Sequence, residues 1–177
     1  LSSIGEFKGD LGDLKIEVVI NKEKNTVSII DKGVGMNSDE IKQYINQIAF
    51  SGAEDFLKKY EDSDDKSGII GHFGLGFYSA FMVAEKVQIL TKSYVLKQKS
   101  CLWECGGSPD YTLKEIEKQD RGTEIILFLS EDSKEYLEES RISSLLNKYC
   151  KFLPVEIKFG TKTKKEKNKK GKEIDVV

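Results

Sequence analysis

Apolar and polar residues alternate near the beginning of the chain, on both sides of a short polar turn. The alternation covers residues 15–20, stops at the Lys- and Asn-rich residues 21–25, and resumes over 26–31. Period-two patterning around such a turn predicts a β-hairpin. Asp31 follows the second apolar run directly, so we expect its carboxylate at the end of a strand.

A helix is predicted after the loop at residues 31–36. Asn37 and Glu40 have the spacing of a capping box, in which each side chain accepts a hydrogen bond from the backbone N–H of the other. Apolar residues recur at helical spacing over residues 41–48, which supports the same helix. A second short helix is predicted over residues 53–60.

The rest of the chain alternates between predicted strands and helices. The glycine-rich segment 68–76 leads directly into a predicted helix over residues 77–84. Apolar spacing predicts a continuous or broken helix over residues 133–151. Strands are predicted over residues 87–91, 94–97, 102–105, 123–129 and 155–159.

This order of elements favours one fold class. Strands joined by hairpins, with helices between them, are typical of an α+β two-layer sandwich with helices on one face of a mostly antiparallel sheet. A chain of 177 residues fits a single domain. We expect that domain over residues 1–160, and a Lys-rich tail or hairpin over residues 161–177.

Composition and charge exclude several classes of protein. The 28 basic and 30 acidic residues give a net charge of −2, so the domain lacks the basic surface of a nucleic-acid-binding protein. No apolar run approaches the length of a membrane-spanning helix. Three Cys and one His are too few for a four-ligand zinc site unless a carboxylate takes part. No nucleic-acid or membrane partner is therefore expected.

Two glycine-containing loops are candidates for a ligand site. The first, Asp31-x-Gly33-x-Gly35, would by itself be an ordinary turn after a strand. The second, over residues 71–77, has the pattern G-x-x-G-x-G and opens a predicted helix. Inward-facing backbone N–H groups in such a loop suit phosphate, although a flexible connector would have the same composition. The pattern matches neither the dinucleotide-binding G-x-G-x-x-G nor a Walker P-loop.

Taken together, the two loops predict a purine nucleotide site. The Asp31 carboxylate can accept a hydrogen bond from an exocyclic amine such as that of adenine. Gly33 and Gly35 have no Cβ, so a purine could approach their backbone closely. The second loop would then bind the phosphates.

Five segments resemble one known family. They are IDKGVGM, IAFSGAEDF, IIGHFGLGFYSAFMVA, DRGTEIILFL and LLNKYCKFLPVEI. They resemble the N-terminal ATPase domain of the heat-shock protein 90 family, of the bacterial HtpG type, over nearly all of residues 15–159. Other GHKL ATPases (gyrase B, MutL and sensor histidine kinases) share the two-loop arrangement but not the sequence of the third segment. The resemblance implies the GHKL, or Bergerat, fold, with ATP or ADP and Mg²⁺ as ligands.

The resemblance also implies roles for particular residues. Asp31 would bind the adenine amine directly and through water, beside Gly33, and Thr123 would join the water network around adenine. The purine pocket would be lined by Gly35, Met36 and Ile45. The phosphates would be cradled by Gly71, Gly74, Gly76 and Phe77, which belong to or adjoin a lid over residues 68–76.

Two family functions have no counterpart on this chain. The family's first strand and first long helices precede the position that matches Leu1, so we expect an N-terminally truncated domain. Those helices carry the Glu that acts as general base and the Asn that ligates Mg²⁺. No catalytic residue or metal ligand is therefore assigned here, and slow or no ATP hydrolysis is expected. Phe50 and Tyr44 stand where the family often has Lys and Asn.

The parent protein implied by the resemblance is a heat-shock chaperone. It would be a cytoplasmic homodimer that uses ATP binding and hydrolysis to close a clamp around unfolded or partly folded client proteins. Two alternatives stay open from the sequence. One is another GHKL ATPase of the gyrase B or MutL type, and the other is a fragment that binds or interacts without hydrolysis.

Overall fold

A seven-stranded sheet forms the centre of the molecule. The computed structural model describes residues 12–46, 76–95, 97–160, 164–167 and 173–176. The strands of the sheet are β1 (Ile16–Asn21), β2 (Thr26–Ile30), β3 (Ala84–Lys92), β4 (Ser100–Cys105), β5 (Tyr111–Ile116), β6 (Gly122–Leu129) and β7 (Ile157–Phe159). Their order is β5-β4-β3-β6-β2-β1-β7. Every neighbouring pair is antiparallel except β1 with β7, which confirms the mostly antiparallel sheet.

Four helical segments accompany the sheet in the described residues. Two are α-helices, α1 (Ser38–Tyr44) and α2 (Glu139–Tyr149). Two are 3₁₀ helices, Gly76–Met82 and Glu131–Leu137. Within these segments no helix combines the length and the apolar character needed to cross a membrane.

The helices pack on one face of the sheet, as the α+β sandwich requires. Val27, Leu127 and Val87 lie side by side on β2, β6 and β3, so their side chains share a face. Val87 packs in an apolar cluster with Ile41 of α1, and Val27 packs in a second cluster with Ile142 of α2. Leu127 contacts both clusters. The two clusters therefore form one apolar layer between the sheet and its helices.

The capping box that the sequence predicts is present at the start of α1. The Asn37 side chain accepts hydrogen bonds from the N–H groups of Asp39 and Glu40, both at 2.9 Å. The Glu40 carboxylate accepts the Asn37 N–H at 2.7 Å. These bonds satisfy backbone donors that have no partner inside the helix. They fix the point at which the chain leaves the loop after Asp31.

Removing this cap should lower stability measurably. We expect Asn37→Ala to reduce the free energy of unfolding by about 1 kcal/mol, since two backbone donors lose their acceptor. Asn37→Asp keeps a capping oxygen and should cost less than half as much. Urea denaturation of the three proteins measures the difference. Equal midpoints for wild type and Asn37→Ala would show that the cap adds nothing to stability.

Two predictions from the sequence, for residues 94–97 and for residues 77–84, are wrong. Residues 94–97 were expected in a strand, but the described residues there form a turn. Lys97 has a φ of 73°, outside the strand region, and the Tyr94 N–H donates to the Val34 carbonyl at 2.7 Å. The helix expected over residues 77–84 is a 3₁₀ helix that ends at Met82, because Ala84 already pairs with Leu129 in the sheet.

Other predictions are confirmed, and one strand was missed. The hairpin of β1 and β2 is present, and the helical segment over residues 133–151 is broken where Glu138 adopts an extended backbone. Strand β5 was not predicted, because it lies at the sheet edge and its mostly exposed side chains give little apolar alternation. The helix predicted over residues 53–60 lies outside the described residues.

The Lys-rich tail contains a second, two-stranded sheet. Strands β8 (Lys164–Lys167) and β9 (Glu173–Val176) pair antiparallel.

Candidate nucleotide-binding site

Asp31 occupies the end of β2, where the backbone pairing with β6 continues for one more residue. Its N–H donates to the Thr123 carbonyl at 2.8 Å, and its own carbonyl accepts the Thr123 N–H at 3.2 Å. The side chain is held as well, because Oδ1 accepts the Gly33 N–H at 2.7 Å and lies 3.4 Å from the Thr123 nitrogen. Among the described residues nothing donates to Oδ2. Within the described residues, the carboxylate is thus oriented through Oδ1, and Oδ2 has no donor.

Two of the glycines around Asp31, Gly35 and Gly122, are required by close contacts with backbone atoms. Gly35 has a φ of 61°, and a Cβ there would overlap the Lys92 carbonyl oxygen at the end of β3. Gly122 has a φ of 106°, and a Cβ there would overlap the Asp31 carbonyl oxygen. At Gly33 a Cβ would lie 2.8 Å from Asp31 Oδ1. The sequence interpretation gave Gly33 and Gly35 the role of admitting a purine, whereas at Gly35 the space is taken by backbone.

A chain of hydrogen bonds joins the loop after Asp31 to Thr123. The Met36 N–H donates to the hydroxyl of Thr91 at 2.8 Å, and the Thr91 and Thr123 hydroxyls lie 3.0 Å apart. Thr91 is fully buried, and Thr123 is 8% exposed. The structure therefore brings Asp31, Gly35, Met36 and Thr123 together. Thr91 was not among the predicted site residues, because its contact with Thr123 depends on the register of β3 against β6.

Ile45 and Phe77 lie in an aromatic part of the apolar layer. The Ile45 carbonyl accepts a hydrogen bond from the Tyr78 hydroxyl at 2.7 Å. The Phe77 ring packs edge-on against Trp103, with centroids 5.5 Å apart. The partly buried side chain of Phe77 therefore packs against the core, which leaves its backbone N–H as the group that could meet a phosphate. Met36, Ile45 and Phe77 all contact the same apolar cluster.

Two residues that were predicted to meet the purine, Asp31 and Ile45, line different cavities of the described residues. Asp31 and Gly33 line a cavity of about 410 Å³ with Leu14 and Val155. Ile45 lines another of about 570 Å³, which also includes Trp103. Gly71, Gly74 and most of the lid over residues 68–76 lie outside the described residues. At Gly76, which is exposed, a Cβ would meet nothing within 4 Å.

Two lysines, Lys92 and Lys118, contact the segment that leads into β6 or lie on it. Burial lowers the pKa of Lys118, and the negative charges of Asp120, Glu124 and Asp31 act against that change. The Lys92 ammonium donates to the carbonyls of Lys118 and Gln119 at 2.9 and 2.8 Å. These contacts tie the end of β3 to the segment that leads into β6, and so support the backbone on which Asp31 and Thr123 pair.

The described residues contain no cluster of metal-ligating side chains. In residues 12–46, 76–95 and 97–160, no three His, Cys, Asp or Glu side chains are grouped so that they could hold a metal ion. The Asp31 carboxylate can accept a hydrogen bond from an amine such as that of adenine.

Comparison with known proteins finds one matching family and several similar relatives. Residues 7–123 match the family described as histidine kinase-, DNA gyrase B- and HSP90-like ATPase. Chaperone protein HtpG of Bacteroides thetaiotaomicron is 58% identical over 99% of this chain, and that of Porphyromonas gingivalis is 51% identical over the same share. The protein of the same name from Actinobacillus succinogenes is 41% identical, again over 99% of the chain.

The match covers only part of these relatives. The chain spans 25% of the length of the Bacteroides and Porphyromonas proteins and 28% of the Actinobacillus protein. The family match itself covers well over half of the chain and includes both Asp31 and Thr123. This chain therefore belongs to the histidine kinase-, DNA gyrase B- and HSP90-like ATPases.

Proposed function

We propose that this domain binds ATP or ADP with the adenine amine on Asp31. The observation that carries the proposal is the Asp31 carboxylate, whose Oδ1 is fixed by Gly33 while Oδ2 has no donor among the described residues. Thr123, held beside it by two backbone hydrogen bonds, would complete the adenine end. Met36, Gly35 and Ile45 would line the purine, and the phosphates would meet the loop that contains Gly71, Gly74, Gly76 and Phe77.

The parent protein, in this proposal, is a chaperone. Its relatives of 41–58% identity are named chaperone protein HtpG. ATP binding and hydrolysis would drive closure of a homodimeric clamp around unfolded or partly folded client proteins in the cytoplasm. The alternative of a gyrase B or MutL type of ATPase is not favoured by these relatives. The nucleotide-binding unit would comprise residues 1–160, with the Lys-rich tail or hairpin over 161–177 outside it.

Hydrolysis would depend on residues that the family carries before the position matching Leu1. A general base has to lie within hydrogen-bond reach of the attacking water, and Mg²⁺ offsets charge on the phosphates when it is bound. The family's Glu and Asn for these tasks both precede that position. Losing the base alone lowers a rate by roughly 10²- to 10⁴-fold. We therefore propose that the 177-residue chain binds nucleotide more readily than it hydrolyses it.

Calorimetric titration and a turnover assay test this function. ATP and ADP are titrated into the 177-residue chain and into a longer form extended to the length of its relatives, and phosphate release is followed in both. We expect saturable binding in the longer form, weaker binding in the chain alone, and hydrolysis only in the longer form. Failure of the longer form to bind ATP would refute the proposed function. Equal turnover in both would refute the placement of the catalytic groups.

A further inference from the structure

Thr91 is a buried threonine whose hydroxyl connects two parts of the candidate site. It lies on β3 directly opposite Thr123 on β6 and has no exposed surface. Its Oγ1 accepts the Met36 N–H at 2.8 Å and lies 3.0 Å from the Thr123 Oγ1. Within the described segments these are the two hydrogen bonds of its side chain.

The burial of Thr91 determines the direction of the bond to Thr123. A hydroxyl carries one proton and can accept through its lone pairs. If Thr123 donated to Thr91, the Thr91 proton would have no acceptor among the described residues, at a position that water does not reach. An unsatisfied buried donor is costly, so Thr91 donates to Thr123 while accepting from Met36. The proton of the Thr123 hydroxyl is then left to point away from Thr91.

We propose that Thr91 is a positioning residue that makes Thr123 a hydrogen-bond donor toward the purine and thereby helps the site distinguish adenine from 6-oxopurines. This inference rests on the proposed nucleotide function. The ionised Asp31 carboxylate can only accept, and Thr123, oriented by Thr91, donates. The site thus presents one acceptor and one donor side by side. A water between Thr123 and the base would accept from the Thr123 hydroxyl and donate to the base, so the base would still meet a donor.

The two purine types fit this pair of groups differently. Adenine has an exocyclic amine that donates and an adjacent ring nitrogen, N1, that accepts. Hypoxanthine has a carbonyl oxygen that accepts and an N1–H that donates, which is the reverse order. A site with a fixed acceptor and a fixed donor therefore favours adenine, whereas a Thr123 hydroxyl that is free to rotate would accept from the N1–H of hypoxanthine.

The measurement is the ratio of the affinities for ATP and inosine triphosphate, obtained by calorimetric titration of the longer form. We expect Thr91→Val to lower the ATP preference about threefold to tenfold, the effect of one net hydrogen bond. Thr91→Ser retains the hydroxyl and should keep the wild-type ratio. A loss of folded protein changes both affinities together and cancels in the ratio, so a merely structural role would leave it unmoved.

A double-mutant cycle shows whether Thr91 acts through Thr123. Thr123→Val should lower the ATP preference, and Thr91→Val added to it should lower the preference no further. Thr26→Val is the matched control, because Thr26 is also a buried threonine of the sheet but pairs with Phe128, five residues along β6 from Thr123. It should leave the ratio unchanged.

The outcomes test the proposed nucleotide function and the positioning role of Thr91 separately. If the wild-type protein binds neither nucleotide, the proposed function fails and this inference fails with it. If the wild type prefers ATP and Thr91→Val keeps the same ratio, only the positioning role is overturned. A further loss of preference when Thr91→Val is added to Thr123→Val would also overturn it, since Thr91 would then act by another route.

Discussion

Replacing Asp31 with Asn should weaken ATP binding by about 30- to 140-fold, or about 2–3 kcal/mol. The Asn side-chain oxygen would keep the bond from the Gly33 N–H, because that bond fixes the loop. The amide NH₂ would then replace Oδ2, so that a donor faces the donating amine of adenine. The change removes the acceptor and the charge while the side chain keeps its shape.

Calorimetric titration of the longer form measures this effect, with Asp110→Asn as the matched control. Asp110 is an exposed carboxylate between β4 and β5, and the same substitution there changes the net charge equally. Its affinity for ATP should equal that of the wild type. An unchanged affinity in Asp31→Asn would remove Asp31 from the adenine site, and thermal unfolding curves of both variants would show that each is folded.

Gly35→Ala should lower the free energy of unfolding by about 2–5 kcal/mol. The backbone there has a φ of 61°, which costs an Ala about 1–2 kcal/mol. The added Cβ would also overlap the Lys92 carbonyl, and relief of such overpacking costs a further 1–3 kcal/mol or so. The carbonyl belongs to β3, which is paired on both sides, so the strand has little freedom to move away.

Gly160→Ala separates the cost of the positive φ from the cost of the overlap with the Lys92 carbonyl. Gly160 has a φ of 65°, close to that of Gly35, but a Cβ there would meet nothing within 4 Å. It should therefore show the conformational cost alone, about 1–2 kcal/mol. Urea denaturation of the two variants gives the comparison. Equal losses in both would mean that the contact with Lys92 relaxes without cost and that only the backbone conformation requires glycine at position 35.

The parts of the fold that could be predicted from the sequence are those with local causes. The β1–β2 hairpin follows from alternation around a polar turn, and the start of α1 follows from the spacing of Asn37 and Glu40. Strand β5 has mostly exposed side chains, so its pairing with β4 leaves no clear pattern in the sequence. The turn that includes Tyr94 and Lys97 depends on the contact of Tyr94 with Val34, which are distant in sequence.

The candidate site also has features that could be predicted from the local sequence and features that depend on distant contacts. The position of Asp31 at a strand end was predictable, because an apolar run precedes it. Two other features depend on where the loop meets β3. One is the hydrogen bond of Oδ1 with the Gly33 N–H, and the other is the overlap that requires glycine at position 35. Thr91 could not be found from spacing, since a buried threonine on a strand has no sequence signature until its partner across the sheet is known.

The parallel pairing of β1 with β7 has a mechanical consequence. The chain enters β1 at Ile16 and leaves β7 at Phe159, and the two strands are joined over three residue pairs at the sheet edge. A force applied between residues 15 and 160 would pull these strands in opposite directions along their length and load their hydrogen bonds in shear. The three-pair junction is shorter than the five-pair ladder of β1 and β2 behind it. Under tension β7 would therefore yield first, and the strand that ends in Asp31 would stay in the sheet.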